Sequence, residues 1–378
     1  MGGGYRGLVY GNPYTRRRAH RSAPLTNMKL LITGANGFLG THVVGEALRR
    51  GHDVRAVVRP STDVAKLTWS TSQRVEVARV DLRTREGLTD IVRGVDCVVH
   101  LAAVKTGDVH AQYHGTVITT ENLLNAMNEA GVRRLVAVSS FSVYDFMKAS
   151  PSMALDEHSP LEKDGLQRDI YTQTKLVQEQ LIREHSSKNG FDLVVLRPGM
   201  IWGKNNLLNA WVGFGLGGRI WVRTGARAHI PATYVENCAE AIVMSADCGA
   251  AWGHTFNIVD DALPTQREFL RMALAGLTSK PTVFPVSYAL LRFAARVADF
   301  VNRNLLRSRA RIPGILVPCR LHARAKPLIY SNRKLKDATG WMPRYSLVEG
   351  FERSFSLESK DIDLSITHPP SSALEVSS

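Results

Sequence analysis

An α/β fold, with a doubly wound parallel sheet followed by a smaller C-terminal part, is predicted by the order of two kinds of segment. Apolar runs typical of buried strands recur at residues 30–32, 54–58, 75–80, 97–101, 135–138 and 193–196. Segments with apolar residues at helical intervals lie between them, at residues 41–50, 122–130 and 176–184. Strands that alternate with helices form a parallel sheet that is covered on both faces. Beyond Pro198 the alternation stops, and a glycine-rich apolar stretch, 207–222, leads into irregular segments.

The first predicted strand runs directly into three glycines, Gly34, Gly37 and Gly40. Gly34 suits a tight turn, Gly37 lets a pyrophosphate approach the backbone, and Gly40 lets the next helix pack closely on the strand. The N-terminus of that helix would then face the phosphates. A plain strand-to-helix corner can carry the same glycines, but the apolar run at 54–58 completes a β-α-β unit. The turn therefore predicts a Rossmann-type dinucleotide-binding domain.

The charge of the chain is concentrated in two places. The 378 residues suggest one large domain or two closely joined ones, with a formal net charge of +14. Residues 1–27 hold five arginines and no acid, and residues 292–336 hold twelve lysines or arginines and one acid. No nucleic-acid-binding module accompanies this charge, so we expect no nucleic-acid partner. We expect residues 1–27 and 356–378 to be disordered tails, with Met28 as the functional beginning.

The cysteine pattern and the hydropathy point to a reduced, cytoplasmic protein. Four cysteines show no Cys-x-x-Cys spacing and no obvious metal partners, so no metal site is expected. No run of about 18 uncharged apolar residues is present, and a membrane-spanning helix is therefore not expected.

A basic amphipathic segment lies near the C-terminus. Between residues 288 and 301, apolar residues at 290, 294, 297 and 301 alternate with arginines. We expect this stripe to be core packing of a helix. The alternative is a peripheral membrane contact, in which the stripe and the arginines at 303, 307, 309 and 311 bind anionic lipid.

Three side chains are candidates for acid-base chemistry. Tyr171 and Lys175 are four residues apart and therefore share one face of a helix. A neighbouring cation favours the phenolate form of a tyrosine, as a proton-transfer catalyst requires. Ser140 ends the fifth predicted strand, at the sheet edge where ligands bind. The alternative for the Tyr171-Lys175 pair is an ordinary solvated helix face. The alternative for Ser140 is an ordinary serine-rich turn that closes a strand.

Taken in order, these motifs resemble the extended short-chain dehydrogenase/reductase family. That family includes nucleotide-sugar epimerases and dehydratases and the 3β-hydroxysteroid dehydrogenases. The resemblance covers residues 28–355 and includes later landmarks at 234–240, 256–259 and 340–344. It implies that Tyr171 exchanges a proton with a carbinol or carbonyl oxygen, that Ser140 hydrogen-bonds that oxygen, and that Lys175 binds the nicotinamide ribose.

The resemblance also implies a domain division, a set of cofactor contacts and a homodimer. A Rossmann domain is expected at 28–200, joined by returning segments from about 230–260, with a substrate-binding part at 201–355. The expected cofactor-binding residues are Gly34, Asn36, Gly37, Phe38, Leu39, Gly40, Asp81, Leu82, Leu101, Ala102, Ala103, Tyr171, Lys175, Pro198 and Ile201.

Arg59 bears on the choice of cofactor. It follows the second strand, where NAD-specific folds often place a carboxylate for the ribose 2′-hydroxyl. An arginine there can instead pair with the 2′-phosphate of NADP. NADP is therefore favoured, and NAD is the alternative cofactor. A further alternative is that Arg59 is a solvated charge that contacts no cofactor.

Three positions depart from the family pattern. Thr116 stands where the family has an asparagine, so no proton relay is expected at that position. Phe141 and Ser142 replace the Asp-Glu pair of the dehydratases, which argues against 4,6-dehydration, and Met200 replaces an asparagine of several epimerases. The remaining prediction is an NAD(P)-dependent oxidoreductase or epimerase that acts on a secondary alcohol or ketone of a nucleotide sugar. A 3β-hydroxysteroid-dehydrogenase-like enzyme for a sterol or lipid is the alternative, and a non-catalytic NADP-sensing protein is the second.

Overall fold

The computed structural model describes residues 27–163, 165–216, 219–225, 227–304 and 312–356. The two predicted tails lie outside these ranges, apart from residues 27 and 356 at their borders. The arginines at 307, 309 and 311 also lie outside the described residues.

The strands are short and rich in valine, isoleucine and leucine, which suits buried positions in a sheet. Their bounds are β1 Lys29–Thr33, β2 Asp53–Val58, β3 Val75–Arg79, β4 Cys97–His100, β5 Arg134–Val138, β6 Ala154–Leu155, β7 Asp192–Pro198, β8 Met200–Trp202, β9 Phe214–Leu216, β10 Ile220–Arg223, β11 Ala232–Tyr234, β12 Thr255–Ile258, β13 Thr282–Pro285 and β14 Ile329–Tyr330.

The α-helices cover the three predicted helical segments, except that α1 ends at Arg49, one residue before the predicted end. Their bounds are α1 Phe38–Arg49, α2 Leu88–Val92, α3 Val109–Tyr113, α4 Thr119–Ala130, α5 Ile170–Asn189, α6 Val235–Asp247, α7 Gln266–Ala275, α8 Tyr288–Asn304, α9 Pro318–Ala325, α10 Arg333–Thr339 and α11 Leu347–Ser356. A π-helical turn, His114–Ile118, joins α3 to α4.

Seven strands form one parallel sheet in the order β12-β7-β5-β4-β1-β2-β3. The six predicted strands are all members, and the predicted doubly wound α/β fold is confirmed. The strand order reverses between β1 and β4. In such sheets a ligand binds beyond the carboxyl ends of the strands at the reversal, which places the site next to the glycine turn.

The sheet is buried on both faces by two separate apolar cores. Leu30 and Ile32 of β1 face the core that α1 and α6 complete, whereas Leu31 faces the core formed by α2, α4 and α5. Because side chains alternate along a strand, a strand covered on both faces is apolar throughout.

Segments after β7 extend the sheet and build a third core. β12 pairs with β7, and α6 packs against α1. The third core brings Trp202 of β8, Phe269 of α7 and Phe351 of α11 together. β9, β10 and β13 form a separate three-stranded sheet. The division into a Rossmann domain and a substrate-binding part stays a prediction.

The expectation that the stripe on α8 packs in the core is wrong for two of its members. Leu290 and Val297 are 61% and 45% exposed. α8 rests on α9 through a different row, Tyr288, Leu291 and Ala295, which contacts Leu321 and Ala325. Helical periodicity shows that an apolar stripe exists, but the position of the neighbouring helix decides which row is covered.

Within the described ranges, the structure contains no helix that combines the length and the apolar character needed to cross a membrane.

Candidate active site

The turn between β1 and α1 has a backbone geometry that requires glycine. Gly34 has a φ of +67°, in the left-handed region, and a Cβ there would lie 3.2 Å from the backbone nitrogen of Ala102. Gly37 is the N-cap of α1, and no side chain caps the first turn of this helix. A Cβ on Gly40 would overlap the carbonyl oxygen of Gly34 and lie 2.9 Å from the Cα of Ala35. The N-terminus of α1 is therefore open to a phosphate group, which fits a dinucleotide.

The other predicted cofactor residues lie along the same edge of the sheet, at or just beyond the carboxyl ends of its strands. These are Asn36, Phe38 and Leu39 after β1, Arg59 after β2, Asp81 and Leu82 after β3, Leu101, Ala102 and Ala103 after β4, and Pro198 and Ile201 at the end of β7 and in β8.

The edge beyond β2 and β3 is basic. Hydrogen bonds from Arg83 hold the pKa of Asp81 below its usual value, and the charge of Arg59 adds a smaller effect of the same sign. No hydrogen bond or ion pair engages the Arg59 side chain among the described residues. The Asn36 amide donates to the Thr62 hydroxyl at 3.3 Å and so links the glycine turn to the loop after β2.

Ser140 lies two residues beyond β5 and shapes the turn that follows. Its Oγ accepts a hydrogen bond from the backbone nitrogen of Ser142 at 3.1 Å. The preceding Ser139 donates its hydroxyl to the Glu179 carboxylate of α5 at 2.6 Å. The end of β5 is therefore tied to α5, the helix that carries the Tyr171-Lys175 pair.

Lys175 is buried beneath the end of β5. Its Nζ donates to the carbonyl oxygen of Val138 and to Oε1 of Gln178, both at 2.8 Å. Burial, and then the charge of Lys105, lower the pKa of Lys175 to about 7, and Glu179 opposes this shift.

Tyr171 lies one helical turn before Lys175. α5 begins at Ile170 because Asp169 caps it and accepts from the backbone nitrogen of Thr172. The Nζ of Lys105 lies 5.8 Å from the centre of the Tyr171 ring. Tyr171, Lys175 and Ser140 therefore lie around one sheet edge, although no direct side-chain hydrogen bond joins them among the residues described.

A buried ion pair holds this arrangement together. Arg197 at the end of β7 donates two hydrogen bonds to Glu179, and both side chains are almost fully buried. Burial would raise the pKa of the Glu179 carboxyl, but hydrogen bonds and charge from Arg197 outweigh it and lower the pKa to about 2. Glu179 is therefore ionised at neutral pH and positions Ser139.

The structure adds two residues that sequence reasoning missed, Lys105 and Gln178. Gln178 is three residues after Lys175, a spacing that places both on one helix face and could have revealed it. Lys105 is an isolated lysine in the loop after β4, and no local pattern indicates that it lies over Tyr171.

Residues 30–258, more than half of the chain, match the model of the NAD dependent epimerase/dehydratase family. The chain belongs to this family. The resemblance inferred from the sequence motifs is confirmed, and the protein is an NAD(P)-dependent oxidoreductase or epimerase. Members of this family use a nicotinamide cofactor and a small-molecule substrate, and the glycine turn and the buried Lys175 fit such a cofactor.

The chain is similar to enzymes that act on farnesylated and steroid compounds, by their names. It is 28% identical over 340 residues to a 4-hydroxy-2-methyl-3-oxo-4-farnesyl-3,4-dihydroquinoline-1-oxide ketoreductase of Stigmatella aurantiaca, covering 86% of this chain and 95% of the relative. It is 30% identical over 276 residues to a 3 beta-hydroxysteroid dehydrogenase/Delta 5-->4-isomerase of Mycobacterium tuberculosis, covering 68% of this chain and 72% of the relative.

The fold of this chain is shared by a solved structure. The UDP-glucose 4-epimerase of Thermus thermophilus, in complex with NAD, superposes with a TM-score of 0.62 at 21% identity. The superposition covers 87% of this chain and 98% of that one. At this identity the likeness supports the fold alone.

Proposed function

We propose that this protein is an NADP-preferring oxidoreductase for a secondary alcohol or ketone on a bulky, apolar, sterol-like or prenylated ring system. The observation that carries the redox assignment is the position of Lys175. It is buried beneath the end of β5, with Tyr171 one turn earlier on α5 and Ser140 two residues beyond the strand. A buried ammonium next to a second lysine is unfavourable for folding, and such perturbed groups cluster at functional sites.

The roles of the side chains follow from their chemistry. When bound, the cofactor supplies or accepts the hydride at its nicotinamide ring. Tyr171 exchanges the proton with the substrate oxygen, and Ser140 hydrogen-bonds the same oxygen. The Nζ of Lys105 lies 5.8 Å from the centre of the Tyr171 ring, and Lys175 lies one helical turn later on α5, so both lysines accompany the side chain that exchanges the proton.

Replacing the tyrosine tests the redox assignment directly. Tyr171→Phe should abolish turnover and leave the Kd for the cofactor nearly unchanged, because only the titratable hydroxyl is lost. Tyr113→Phe on α3, which removes the hydroxyl of an exposed tyrosine, serves as the control. Unaltered turnover in Tyr171→Phe would refute the mechanism.

The proposed substrate class rests on the positions where this chain departs from the family pattern and on the names of its relatives. Phe141 and Ser142 offer no carboxylate pair for dehydration, and Met200 offers no amide to a sugar-nucleotide phosphate. Both reported relatives carry names of enzymes for farnesylated or steroid compounds. These points support an apolar substrate over the nucleotide sugar predicted first from the sequence.

A nucleotide sugar stays the second candidate because the basic C-terminal region could attract a diphosphate. A thermal-shift screen at saturating NADPH separates the two classes, since only a binder raises the melting temperature. Stabilisation by sterols but not by UDP-sugars is the expected result, and the reverse would overturn the assignment.

The preference for NADP rests on Arg59. It lies beyond β2, and among the described residues no partner engages its side chain. Arg59→Ala should weaken NADP binding about tenfold or more, the loss expected for one hydrogen bond to a charged group. The Kd for NAD should stay the same. Arg93→Ala, which removes an exposed arginine paired with Asp90, is the matched control. Equal effects on both cofactors would refute the 2′-phosphate contact.

A homodimer is supported by exposed apolar residues on two packed helices. α3 packs against α5, and Val109 and Val177 of these helices are exposed. Val177→Lys should convert a dimer into a monomer in light-scattering chromatography, whereas Val348→Lys, at an exposed valine of α11, should not. A wild type that is monomeric at high concentration would refute the proposal.

Peripheral contact with an anionic membrane is supported by the outer face of α8. Leu290, Phe293, Val297 and Phe300 are exposed on this face, and Phe293 and Phe300 are more than 60% exposed. Arg292 and Arg296 lie beside this row. An amphipathic helix with a basic flank binds the interface of anionic lipid bilayers.

Flotation with vesicles tests this contact. The protein should float with vesicles that contain phosphatidylserine and not with neutral phosphatidylcholine vesicles. Phe293→Asp with Phe300→Asp should abolish flotation without changing the melting temperature, because both side chains are exposed. Flotation of the double variant equal to that of the wild type would refute the contact.

The four free thiols fit a cytoplasmic location for the enzyme.

A further inference from the structure

A chain of buried polar side chains connects Lys175 to the first strand of the sheet. Nε2 of Gln178 donates to the Thr120 hydroxyl at 2.8 Å, and Nε2 of His100 lies 2.9 Å from the same hydroxyl. Nδ1 of His100 lies 2.8 Å from the hydroxyl of Thr33 in β1. All of these side chains are buried, so each donor and acceptor needs a partner within the protein.

The hydrogen bonds around Thr33 determine which nitrogen of His100 carries the proton. The Thr33 oxygen already accepts from the backbone nitrogens of Leu101 and Ala102, so its own proton goes to Nδ1 of His100. His100 is then protonated at Nε2 and donates to Thr120, and the 3.3 Å approach of the Gln178 Nε2 to this nitrogen is a contact between two donors rather than a hydrogen bond. Burial, and then the charge of Lys175, lower the pKa of His100 to about 3, which keeps it neutral.

The hydrogen bonds around Thr120 determine the orientation of the Gln178 amide. The Thr120 hydroxyl donates to the carbonyl oxygen of Thr116 at 2.6 Å, so its oxygen accepts from both His100 and Gln178. The amide nitrogen of Gln178 must therefore face Thr120. An ammonium can only donate, and Oε1 of Gln178 accordingly faces Lys175.

Thr116 does not take part in holding the lysine. Its Oγ accepts from the backbone nitrogen of Val104 at 3.0 Å. The family pattern would place an asparagine at this position, and the side-chain acceptor of Lys175 in this structure is Gln178, which lies on α5 together with the lysine.

We propose that Gln178 is a positioning residue that holds the ammonium of Lys175 for the reaction. This rests on the proposed role of Lys175 in the redox site. An ammonium has three N–H donors. The carbonyl oxygens of Val138 and Gln178 accept two of them, and the third is left for the site. Gln178 thus directs the free donor of Lys175 and stabilises its charged form.

The charge of Lys175 depends on several groups that face it. Lys105, from the loop after β4, and burial disfavour the ammonium, whereas Glu179 on α5 favours it. His100 of β4 is neutral, and the Glu179 charge is shared with Arg197. Replacing Gln178 by a residue without an acceptor should therefore lower the pH at which Lys175 loses its proton.

Two variants should move that pH in opposite directions. Gln178→Met keeps the approximate volume and removes the acceptor, so the midpoint should fall by about one pH unit, a tenfold change in the protonation equilibrium. Gln178→Glu keeps an acceptor and adds a negative charge, so the midpoint should rise. Gln180→Met, at an exposed position of α5 that bonds only Glu184, is the matched control and should leave the midpoint unchanged.

The midpoint can be measured without turnover. The Kd for NADPH, followed by its fluorescence between pH 6 and 10, reports the protonation state of the group that binds the ribose. The 13Cε shift of Lys175 in lysine-labelled protein without cofactor reports its protonation directly, with Lys175→Arg used to assign the signal. Far-ultraviolet circular dichroism checks that each variant is folded, and the glutamate variant provides a result if the methionine variant does not fold.

The Gln178 and Tyr171 variants test the positioning role and the redox function separately. If Tyr171→Phe abolishes turnover but both Gln178 variants keep the wild-type midpoint, the positioning role is overturned and the redox function stands. If the two midpoints move as expected while Tyr171→Phe remains active, Gln178 positions Lys175, but the proton-transfer role of Tyr171 is wrong.

Discussion

Two glycines on α1 should respond in opposite ways to the same substitution. A Cβ on Gly40 would overlap the carbonyl oxygen of Gly34 and lie 2.9 Å from the Cα of Ala35, and both contacts are backbone atoms that cannot rotate away. Gly45, one and a half turns later on α1, is exposed, and a Cβ there would meet nothing within 4 Å. Gly40 is therefore required by packing, whereas glycine at position 45 only lowers the helix propensity of α1 relative to alanine.

The magnitudes follow from these contacts. Gly45→Ala should stabilise the protein by about 0.5–1 kcal/mol, the usual difference between glycine and alanine inside a helix. Gly40→Ala gains the same propensity but overpacks the turn, at a cost of about 1–3 kcal/mol, and should be destabilised on balance. It should also weaken NADPH binding, because the displaced carbonyl belongs to the phosphate-binding turn.

Urea unfolding followed by circular dichroism measures both free energies, and NADPH fluorescence measures the Kd. The two variants should differ in stability by roughly 2 kcal/mol, with Gly45→Ala the more stable. A Gly40→Ala variant that is as stable as Gly45→Ala and binds NADPH with the wild-type Kd would show that packing does not require a glycine at position 40.

Further predictions concern the buried ion pair and the thiols. Glu179→Gln should lower the free energy of unfolding by about 3 kcal/mol because it leaves Arg197 buried without a counter-charge, whereas exposed Glu184→Gln should change it by less than about 0.5 kcal/mol in urea titrations. The folded-state pKa of Glu179, about 2, is below its unfolded value, so its stabilisation is present above about pH 4.5 and is lost as the pH falls toward 2. The stability gap between wild type and Glu179→Gln should therefore close in acid, and a constant gap would contradict the pairing. Burial raises the pKa of the Cys97 thiol to about 12 and also raises that of Cys238, so both should react with Ellman's reagent only after unfolding. Rapid labelling of either thiol in the native protein, located by peptide mass spectrometry, would argue against the described core.

The glycine turn and the order of the elements could be predicted because their signals are local. A strand buried on both faces must be apolar throughout, and a turn with a left-handed residue must carry glycine. Residues 30–32 and Gly34 show both signals without reference to the rest of the chain. The Tyr171-Lys175 pair was likewise predictable, since helical spacing alone places both on one face.

Contacts across the fold were not predictable in the same way. Gln178 and Thr120 are separated by 58 residues, and Glu179 and Arg197 by 18, so no periodicity connects them. The prediction for α8 failed for the same reason. An apolar stripe is visible in the sequence, but only the position of α9 shows that Leu290 and Val297 are exposed.

The sequence by itself therefore determined the parallel α/β fold, the family, the phosphate-binding turn and the presence of a phenol-ammonium pair. Each of these depends on residues that are neighbours along the chain or on one helix face. The tertiary structure alone decided that Lys175 is buried against Val138, that Gln178 holds it, and that Lys105 approaches Tyr171. Such contacts join segments that are distant along the chain, and they exist only after the sheet and α5 have packed together.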